Sequence, residues 1–431
     1  MLLSLMIVML FVFCLMGMEI AWAIGMACLG YLFFSQLTGG GTRFVLMAQQ
    51  MTTGVDAFVL LAIPLFILAG ELMNVSGVTR RIVDFAASLV GHRHGGLANV
   101  GVTANYIMSG TSGSALADAA ATGTVLIPEM KRRGFRSDFS SAVIASAATV
   151  GPIVPPSISF VLLGAIMNLS VGQLFLAGIL PGTIMFIAMF VLTWWICRSR
   201  GYPVEPRASW RQRGEAALSG LAALLAPAII VGSILTGIAT PTESAAIAVF
   251  YVLVLGVVFY RSLGFRAIFE VACKTAVSTS VIMLTVATSK LFAWIAVKEN
   301  LGQILTDAML AISDNIYVLL LLVNILLLIL GMIMEILPIM LIIAPVLFPL
   351  MEGFGVDPIH FGVVMVLNLM IGMITPPIGL NLFIISAISG DGVVEIFRAA
   401  VPYFVILVGV LLLVTYVPAL SLAIPQWAFS H

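Results

Sequence analysis

The sequence contains the same pattern of residues twice, at an offset of 221 positions. Residues 151–156 read GPIVPP, and residues 372–377 read GMITPP. Without any gap, residues 110–156 and 331–377 are identical at 12 of 47 positions. Each copy places a Pro-Pro pair inside an apolar segment, where proline interrupts a helix because it lacks a backbone donor. Such paired interruptions in corresponding halves are typical of transporters that bind their substrate near the breaks.

The composition assigns both copies to a membrane. Of the 431 residues, 61% are hydrophobic and only 9% are charged, whereas soluble domains carry about 25% charge. The net charge is zero, which gives no sign of nucleic-acid binding. The four cysteines lie in apolar runs without a CxxC pair, which argues against a disulfide framework or a metal site. The sequence therefore predicts an all-α polytopic protein surrounded by the lipid bilayer.

Basic residues predict which ends face the cytoplasm. A basic linker over 199–213 divides the chain into a first repeat, 1–198, and a second repeat, 214–431. Basic residues flank the segment 95–131 at both ends, so both ends are expected in the cytoplasm and the segment is predicted to be a re-entrant hairpin. Its tip, SGTSGS, is too polar for contact with lipid. The segment 138–167, which contains the first Pro-Pro pair, is predicted to cross as a broken transmembrane helix.

The second repeat shows the same plan with reversed charge. A second hairpin is predicted over 316–350 and a second broken helix over 358–390. Residues 131–136 read KRRGFR, but the corresponding residues 352–357 read EGFGVD. Because basic loops stay in the cytoplasm, this reversal indicates two repeats of inverted topology.

Several runs of the sequence resemble the large membrane subunit (M subunit, DctM-like) of tripartite ATP-independent periplasmic (TRAP) transporters. They are AIPLFILAGELMNVSGVTRRIVDFAASLVGHRHGGLANV at 62–100, SGTSGSALADAAATG at 109–123, GPIVPPSI at 151–158, GIATPTESAA at 237–246 and GMITPPIGLNLF at 372–383. The resemblance implies an elevator-type secondary transporter in a bacterial or archaeal cytoplasmic membrane that imports an organic acid with sodium ions. It also implies two partners, a periplasmic substrate-binding protein and a small membrane subunit.

A Pro-Pro break frees backbone carbonyl oxygens, and a hard cation such as sodium prefers oxygen ligands. In the first repeat, the break offers carbonyl groups and the hairpin tip offers hydroxyl groups. By resemblance, the first sodium site consists of Ser112, Ser114, Gly151, Val154 and Pro156. Asp118 lies four residues after Ser114 on the same helical face, and it either tunes this site or bonds the hairpin to its neighbours.

The second repeat offers an equivalent set of oxygen ligands. By resemblance, the second sodium site consists of Glu335, Gly372, Thr375 and Pro377. The family often has aspartate near the position of Glu335, so this carboxyl group is one methylene further from the backbone. A Pro-Pro pair can also be a simple packing kink, but its recurrence beside a polar hairpin favours an ion site.

Three further residues are candidates for contacts with ligands or partners. Ser157 and Asn381 follow the two breaks, where half-helix N-termini favour a carboxylate substrate. Each of them has the alternative of bonding within its own bundle. Lys298, at the predicted periplasmic end of a span, is either a docking charge for the binding protein or a lysine that extends to the interface. Glu243 is either a functional buried acid or the cap of a helix that starts at Thr240, and the capping role is favoured.

Two other classes of protein are alternatives to a TRAP subunit. A membrane-embedded enzyme needs a nucleophile and a base, but His92, His94, His360 and His431 all lie away from the predicted midplane, so no catalytic set is expected. An autonomous sodium–anion symporter would share the inverted hairpins but need no binding protein.

Overall fold

A computed structural model describes residues 2–39, 44–93, 95–202, 204 and 209–429. Within these ranges the regular structure is entirely helical. Part of the predicted basic linker, residues 203 and 205–208, lies outside the described residues, as do His94 and His431. The prediction of an all-α membrane protein is confirmed for the described part of the chain.

Ten α-helices precede the linker. They are α1 (Leu2–Leu15), α2 (Ile20–Leu37), α3 (Val45–Val55), α4 (Ala62–Val75), α5 (Val78–Val90), α6 (Gly96–Ser112), α7 (Ala115–Arg132), α8 (Ser137–Ala147), α9 (Ile158–Met167) and α10 (Val171–Ser199). Ten more follow it. They are α11 (Trp210–Leu235), α12 (Pro241–Val254), α13 (Phe265–Lys298), α14 (Leu301–Leu310), α15 (Ile316–Ile333), α16 (Ile336–Gly353), α17 (Pro358–Gly372), α18 (Leu380–Ser389), α19 (Val393–Tyr416) and α20 (Ala419–Phe429).

Eight helical segments of the described chain are long and apolar enough to cross a bilayer. Two of them extend a helix by one turn, so that the spans run over 58–75 and 241–259. The longest is α13, which has 34 residues and a length of about 50 Å at 1.5 Å per residue. This helix is long enough to span the whole membrane.

Two pairs of consecutive helices occupy the segments predicted as hairpins. In the first pair, α6 and α7 pack together and are separated only by Gly113 and Ser114. In the second pair, α15 and α16 are separated only by Met334 and Glu335. The first turn is tighter than the SGTSGS tip that the sequence predicted, because α6 continues through Ser112.

The segments with the Pro-Pro pairs are two half-helices each. The first consists of α8, a short 3₁₀ turn over Ala148–Val150, and then α9 after the proline pair. The second consists of α17 and α18, with residues 373–379 between them. Both proline pairs have a cis peptide bond.

The two broken segments run antiparallel to each other. At one end Asp391, just after α18, accepts hydrogen bonds from Ser137 and Ser141 at the start of α8. At the other end a Cβ atom built on Gly362, near the start of α17, would lie 2.9 Å from Leu163 of α9. Contacts at both ends therefore place the start of each segment beside the end of the other.

Candidate functional site

The turn of the first helix pair lies against the first proline pair. Gly113 ends α6 with φ of +61°, a conformation that favours glycine. A Cβ atom at this position would lie 2.7 Å from the carbonyl oxygen of Pro156, so a larger residue would push the two segments apart. Ser114 then starts α7, where its Oγ accepts a hydrogen bond from the amide of Ala117 at 3.4 Å. The structure thus places the tip, which includes Ser114, against Pro156.

Asp118 contributes a carboxylate to the same place. It is fully buried, and its Oδ1 accepts a hydrogen bond from the Ser112 hydroxyl at 2.5 Å. Its Oδ2 is buried without a hydrogen-bond partner among the described residues. A Cβ atom on Gly151 would lie 2.8 Å from this Oδ2. An unpaired buried carboxylate oxygen costs several kcal/mol, and a cation bound beside Gly151 would remove that cost.

The side chain of Val154, the remaining member of the predicted first site, faces α10. A Cβ atom on Gly182 would lie 2.5 Å from the Cγ2 of Val154. This contact anchors the break to a neighbouring span. The valine contributes only its backbone carbonyl to the predicted sodium site, and that contribution stays a prediction.

The second helix pair also contacts its proline break, through the backbone. Gly331 of α15 and Gly372 of α17 approach so closely that a Cβ atom on Gly372 would lie 2.5 Å from the Gly331 carbonyl carbon. The Met332 carbonyl oxygen accepts hydrogen bonds from the amides of Ile378 and Gly379 at 3.2 and 3.3 Å. These bonds attach the second tip directly to the residues that follow the proline pair.

Two side chains of the predicted second sodium site differ in their surroundings. Thr375 is buried, and its hydroxyl donates to the Ile371 carbonyl at 2.9 Å, which leaves its lone pairs available to a cation. Pro377 is exposed. Glu335 begins α16 without a capping hydrogen bond from its side chain. No hydrogen bond in the described chain joins Glu335 to Thr375.

Glu335 instead faces a cavity of about 40 Å³ between the two tips. The first helix pair contributes Gly113 and Ser114 to its lining, and the first break contributes Ser159. Met373 lines it from the second break. Both tips and both breaks therefore meet around one small space, which includes a carboxyl group and two hydroxyl groups.

The two residues predicted to contact substrate are engaged elsewhere. The Ser157 hydroxyl donates to the Pro152 carbonyl at 2.5 Å and accepts from the Phe160 amide at 3.2 Å, so it caps α9. Asn381 is fully buried, and its Nδ2 donates to the Ala145 carbonyl across the two repeats at 3.3 Å. Its Oδ1 has no hydrogen-bond partner within the described chain. Neither residue lines the cavity between the tips, and a role in substrate binding stays a prediction.

Sequence reasoning did not select Ser159, although this residue lines the cavity. The available signal was its position two residues after Ser157, at the start of the half-helix that follows the break.

Sequence reasoning placed the cap at Thr240 correctly, since Thr240 and Glu243 form a reciprocal capping box. Lys298 ends α13, and its Nζ lies 5.7 Å from the ring centre of Tyr31 and 5.6 Å from that of Trp294.

Proteins of known fold share this arrangement. The structure aligns with the Alcanivorax borkumensis YdaH transporter at a TM-score of 0.62 and 15% identity, over 86% of this chain and 87% of that one. It aligns with Neisseria gonorrhoeae MtrF, described as one of a class of antimetabolite efflux pumps, at a TM-score of 0.58 and 12% identity, over 89% and 83% of the two chains. The fold is thus that of polytopic membrane transporters.

Sequence comparison identifies the family. The family model for the tripartite ATP-independent periplasmic transporter, DctM component, matches residues 7–420. The chain belongs to this family, and it is a large permease subunit in the inner membrane. It is 42% identical over 410 residues, 95% of each chain, to the sialic acid TRAP transporter large permease protein SiaM of Vibrio cholerae. It is 37% identical to the 2,3-diketo-L-gulonate TRAP transporter large permease protein YiaN of Escherichia coli, over 98% of this chain and 100% of that protein.

A third relative is the C4-dicarboxylate TRAP transporter large permease protein DctM of Pseudomonas aeruginosa. The two chains are 37% identical over 381 residues, which cover 88% of this chain and 89% of that protein. Membership of this family classifies the chain as a transporter subunit rather than an enzyme.

Proposed function

We propose that this permease imports an organic acid together with sodium ions, by an elevator movement of the two helix pairs and the two broken segments. A periplasmic substrate-binding protein delivers the acid, and a small membrane subunit completes the transporter. The observation that carries the proposal is the unpaired, buried Oδ2 of Asp118, which lies beside Gly151 at the junction of tip and break.

Sodium fits this junction because the groups around it are oxygens. Asp118 supplies a carboxylate and Ser112 a hydroxyl, and the Pro156 carbonyl oxygen faces the tip. In the second repeat, Thr375 supplies a hydroxyl group, and the backbone carbonyl groups of Gly372 and Pro377 are the further ligands proposed. No group of three or more His, Cys, Asp or Glu side chains suited to a transition metal occurs in the described chain. A hard cation held mainly by neutral oxygens is the better match.

The names of the relatives and the charge at the cavity support an organic acid as the substrate class. The names of the three relatives specify sialic acid, 2,3-diketo-L-gulonate and C4-dicarboxylates, and all of these are organic anions. A carboxylate entering the cavity would meet Glu335, and two like charges 5 Å apart repel by about 3 kcal/mol at an effective dielectric constant of 20. A sodium ion bound near Glu335 removes this repulsion, which makes anion binding depend on sodium.

The backbone contacts favour movement of each pair with its own break. Separating Met332 from Ile378 and Gly379 would break two backbone hydrogen bonds, and separating the first tip from Gly151 would strip a bound ion of its ligands. Both changes are costly in a low-dielectric region. The pairs and the breaks therefore move as one body against the remaining spans.

Uptake into proteoliposomes tests the proposed function. The chain and the small subunit are reconstituted together, and radiolabelled sialic acid, 2,3-diketo-L-gulonate and succinate are supplied with the binding protein from the same operon. We expect uptake of one of these acids only with an inward sodium gradient and only with the binding protein.

Two results would contradict the proposal. Uptake that persists when potassium replaces sodium would rule out sodium coupling. Equal uptake without the binding protein would support an autonomous symporter instead of a tripartite system.

A further inference from the structure

A second cavity, of about 320 Å³, lies between α13 and the parts of the chain proposed to move. On one side it is lined by Thr53 and Gly54 of α3 and by Ser289 and Lys290 of α13. On the other side are the C-terminal end of α9 with Asn168, and Leu341 and Pro345 of α16. A volume of this size suits a small organic molecule. The cavity is separate from the one between the tips, since the two share no lining residue.

Lys290 is an unusual residue for this place. It lies eight residues before Lys298, the last residue of α13, which corresponds to a depth of about 12 Å along the helix. An ionisable residue within a membrane span is expensive and marks a functional position by default. The residue is exposed and lines the cavity, and a Cβ atom on Gly54 would lie 2.7 Å from the Lys290 Cβ. Close packing against Gly54 thus fixes the base of the lysine at the cavity wall.

The other lysines of α13 have partners, whereas Lys290 has no ion pair with a described residue. Lys274 pairs with Glu71 of α4 at 2.9 Å, and Lys298 lies over two aromatic rings. The lining of the cavity contains no aspartate or glutamate. Lys290 is therefore the one charged residue among the described residues that line this cavity, and no acidic side chain of the lining compensates it.

A second polar group points to a ligand in the same cavity. Ser289, the preceding residue, also lines the cavity and is 1% exposed. Its Oγ is buried with no hydrogen-bond partner in the described part of the chain. A buried hydroxyl without a partner costs about 1–3 kcal/mol. A ligand oxygen that accepts from both Ser289 and Lys290 would satisfy the hydroxyl and the charge together.

We propose that Lys290 and Ser289 form an anion-binding station in the wall of α13, where the carboxylate of the transported acid pairs before it reaches the site between the tips. The identity of the ligand as the transported acid rests on the proposed function. The negative charge of the ligand rests on the cavity alone. In the topology predicted from the sequence, the station lies on the periplasmic side, where the binding protein releases its substrate. One positive charge at the entrance raises the local concentration of an anion and orients it.

The charge of the cavity can be measured without knowledge of the substrate. Thr53 is exposed in the cavity lining, so Thr53→Cys provides a single reactive thiol after Cys14, Cys28, Cys197 and Cys273 are replaced by serine. The probes are an anionic and a cationic methanethiosulfonate reagent, which carry a sulfonate and a trimethylammonium group. The quantity measured is the ratio of the anionic to the cationic reaction rate.

We expect Lys290→Gln to lower this ratio by about tenfold or more, which is where the range of electrostatic steering begins. Lys290→Arg keeps the charge and should keep the ratio. Lys298→Gln is the matched control, since it removes a lysine from the same helix outside the cavity, and it should also leave the ratio unchanged. An unchanged ratio in Lys290→Gln would overturn the proposal, because the ammonium group would then point away from the cavity.

Uptake of sialic acid, 2,3-diketo-L-gulonate or succinate by the reconstituted transporter tests the identity of the ligand. We expect Lys290→Gln to raise KM for the transported acid by about tenfold, with the sodium concentration for half-maximal uptake unchanged. A lower reaction ratio with an unchanged KM would overturn the assignment to the transported acid and indicate an anionic lipid headgroup instead. If the parent transports none of the three acids, the proposed function fails, whereas the reaction ratio still decides whether the cavity attracts anions.

Discussion

Asp118 is the residue with the most informative surroundings in this permease. One of its carboxylate oxygens accepts from Ser112 and the other has no partner within the described residues, although the side chain is fully buried. An unpaired carboxylate oxygen in a low-dielectric interior is costly, and a bound ligand would remove that cost. The neighbouring Gly151 leaves room for that ligand, because any side chain there would occupy the space in front of Oδ2.

Removing an oxygen ligand should weaken sodium activation. We expect Ser112→Ala and Asp118→Asn to raise the sodium concentration for half-maximal uptake by about tenfold or more, since an unmade polar contact costs about 1–3 kcal/mol and 1.4 kcal/mol is tenfold. Ser109→Ala is the matched control, because this buried serine of α6 donates only to the Tyr106 carbonyl. If both ligand variants keep the sodium dependence of the parent, these oxygens do not bind the ion.

Filling the space in front of Asp118 should also weaken sodium activation of uptake, although no polar group is removed. The added methyl group of Gly151→Ala would lie 2.8 Å from the Asp118 Oδ2. We therefore expect sodium-dependent uptake to fall at least about tenfold at an unchanged level of folded protein. Gly409→Ala in α19, where no atom lies within 4 Å of the added carbon, should behave like the parent. Normal sodium activation in Gly151→Ala would show that no ion occupies this space.

At the scale of helices and turns, the sequence predicted the structure where it depends on residues close together in the chain. The positions of the proline breaks and the capping box at Thr240 follow from residues a few positions apart. The turn at Gly113 was predicted as the longer tip SGTSGS, but α6 continues through Ser112. Helix formation there overrides the preference of glycine and serine for irregular structure. The partners of Asp391 could not be predicted, because they lie about 250 residues away and depend on how the halves pack.

Asp391 provides a test of this packing between the repeats. Burial raises the pKa of Asp391, but the hydroxyl hydrogen bonds from Ser137, Ser141 and Ser389 and the charge of Lys131 outweigh it, so the pKa lies below its ordinary value. A carboxyl group with a lowered pKa stabilises the fold above its unfolded pKa of about 3.9, and this stabilisation is lost as the pH falls through the folded pKa.

Asp391→Asn should therefore lower the free energy of unfolding by about 1.5–3 kcal/mol at pH 7, the scale of hydrogen bonds to a charged group. We expect the difference from the parent to be constant between pH 7 and 5 and to shrink below about pH 4. Thermal unfolding in detergent at several pH values measures it. Asp138→Asn, which removes an exposed pair with Arg136, should cost less. A difference that grows on acidification would contradict this account of Asp391.

At the scale of the whole molecule, the antiparallel packing of the two broken segments matches the charge reversal between residues 131–136 and 352–357. The sequence predicted the family and the helical class, and the two inverted repeats stay a prediction. It did not reveal the cavity at Lys290, because that cavity forms only when α3, α9, α13 and α16 meet. The signal for it in the sequence was Lys290, a lysine inside an apolar stretch of α13.

Opposite orientation of the repeats can be tested by labelling. We expect single cysteines at Arg133 and Phe354 to react with membrane-impermeant reagents from opposite faces of the membrane, because basic loops are retained in the cytoplasm and acidic ones are not. Intact cells and inside-out vesicles give the two accessibilities. Labelling of both positions from the same face would rule out the inverted arrangement.

The central claim is that the helix pairs and the breaks move together against a fixed wall, and cross-linking tests it most directly. Gly110 of the first pair lies against α11, where a Cβ atom built on it would be 3.1 Å from the Pro227 Cβ. Gly101 of the same pair lies against Ile144 of its own broken segment. The measurement is sodium-driven uptake by Gly110→Cys/Pro227→Cys and by Gly101→Cys/Ile144→Cys, each treated with a short bifunctional thiol reagent. We predict that the first cross-link stops uptake and that the second leaves most of it. Continued uptake with the first pair locked to α11 would contradict the elevator movement.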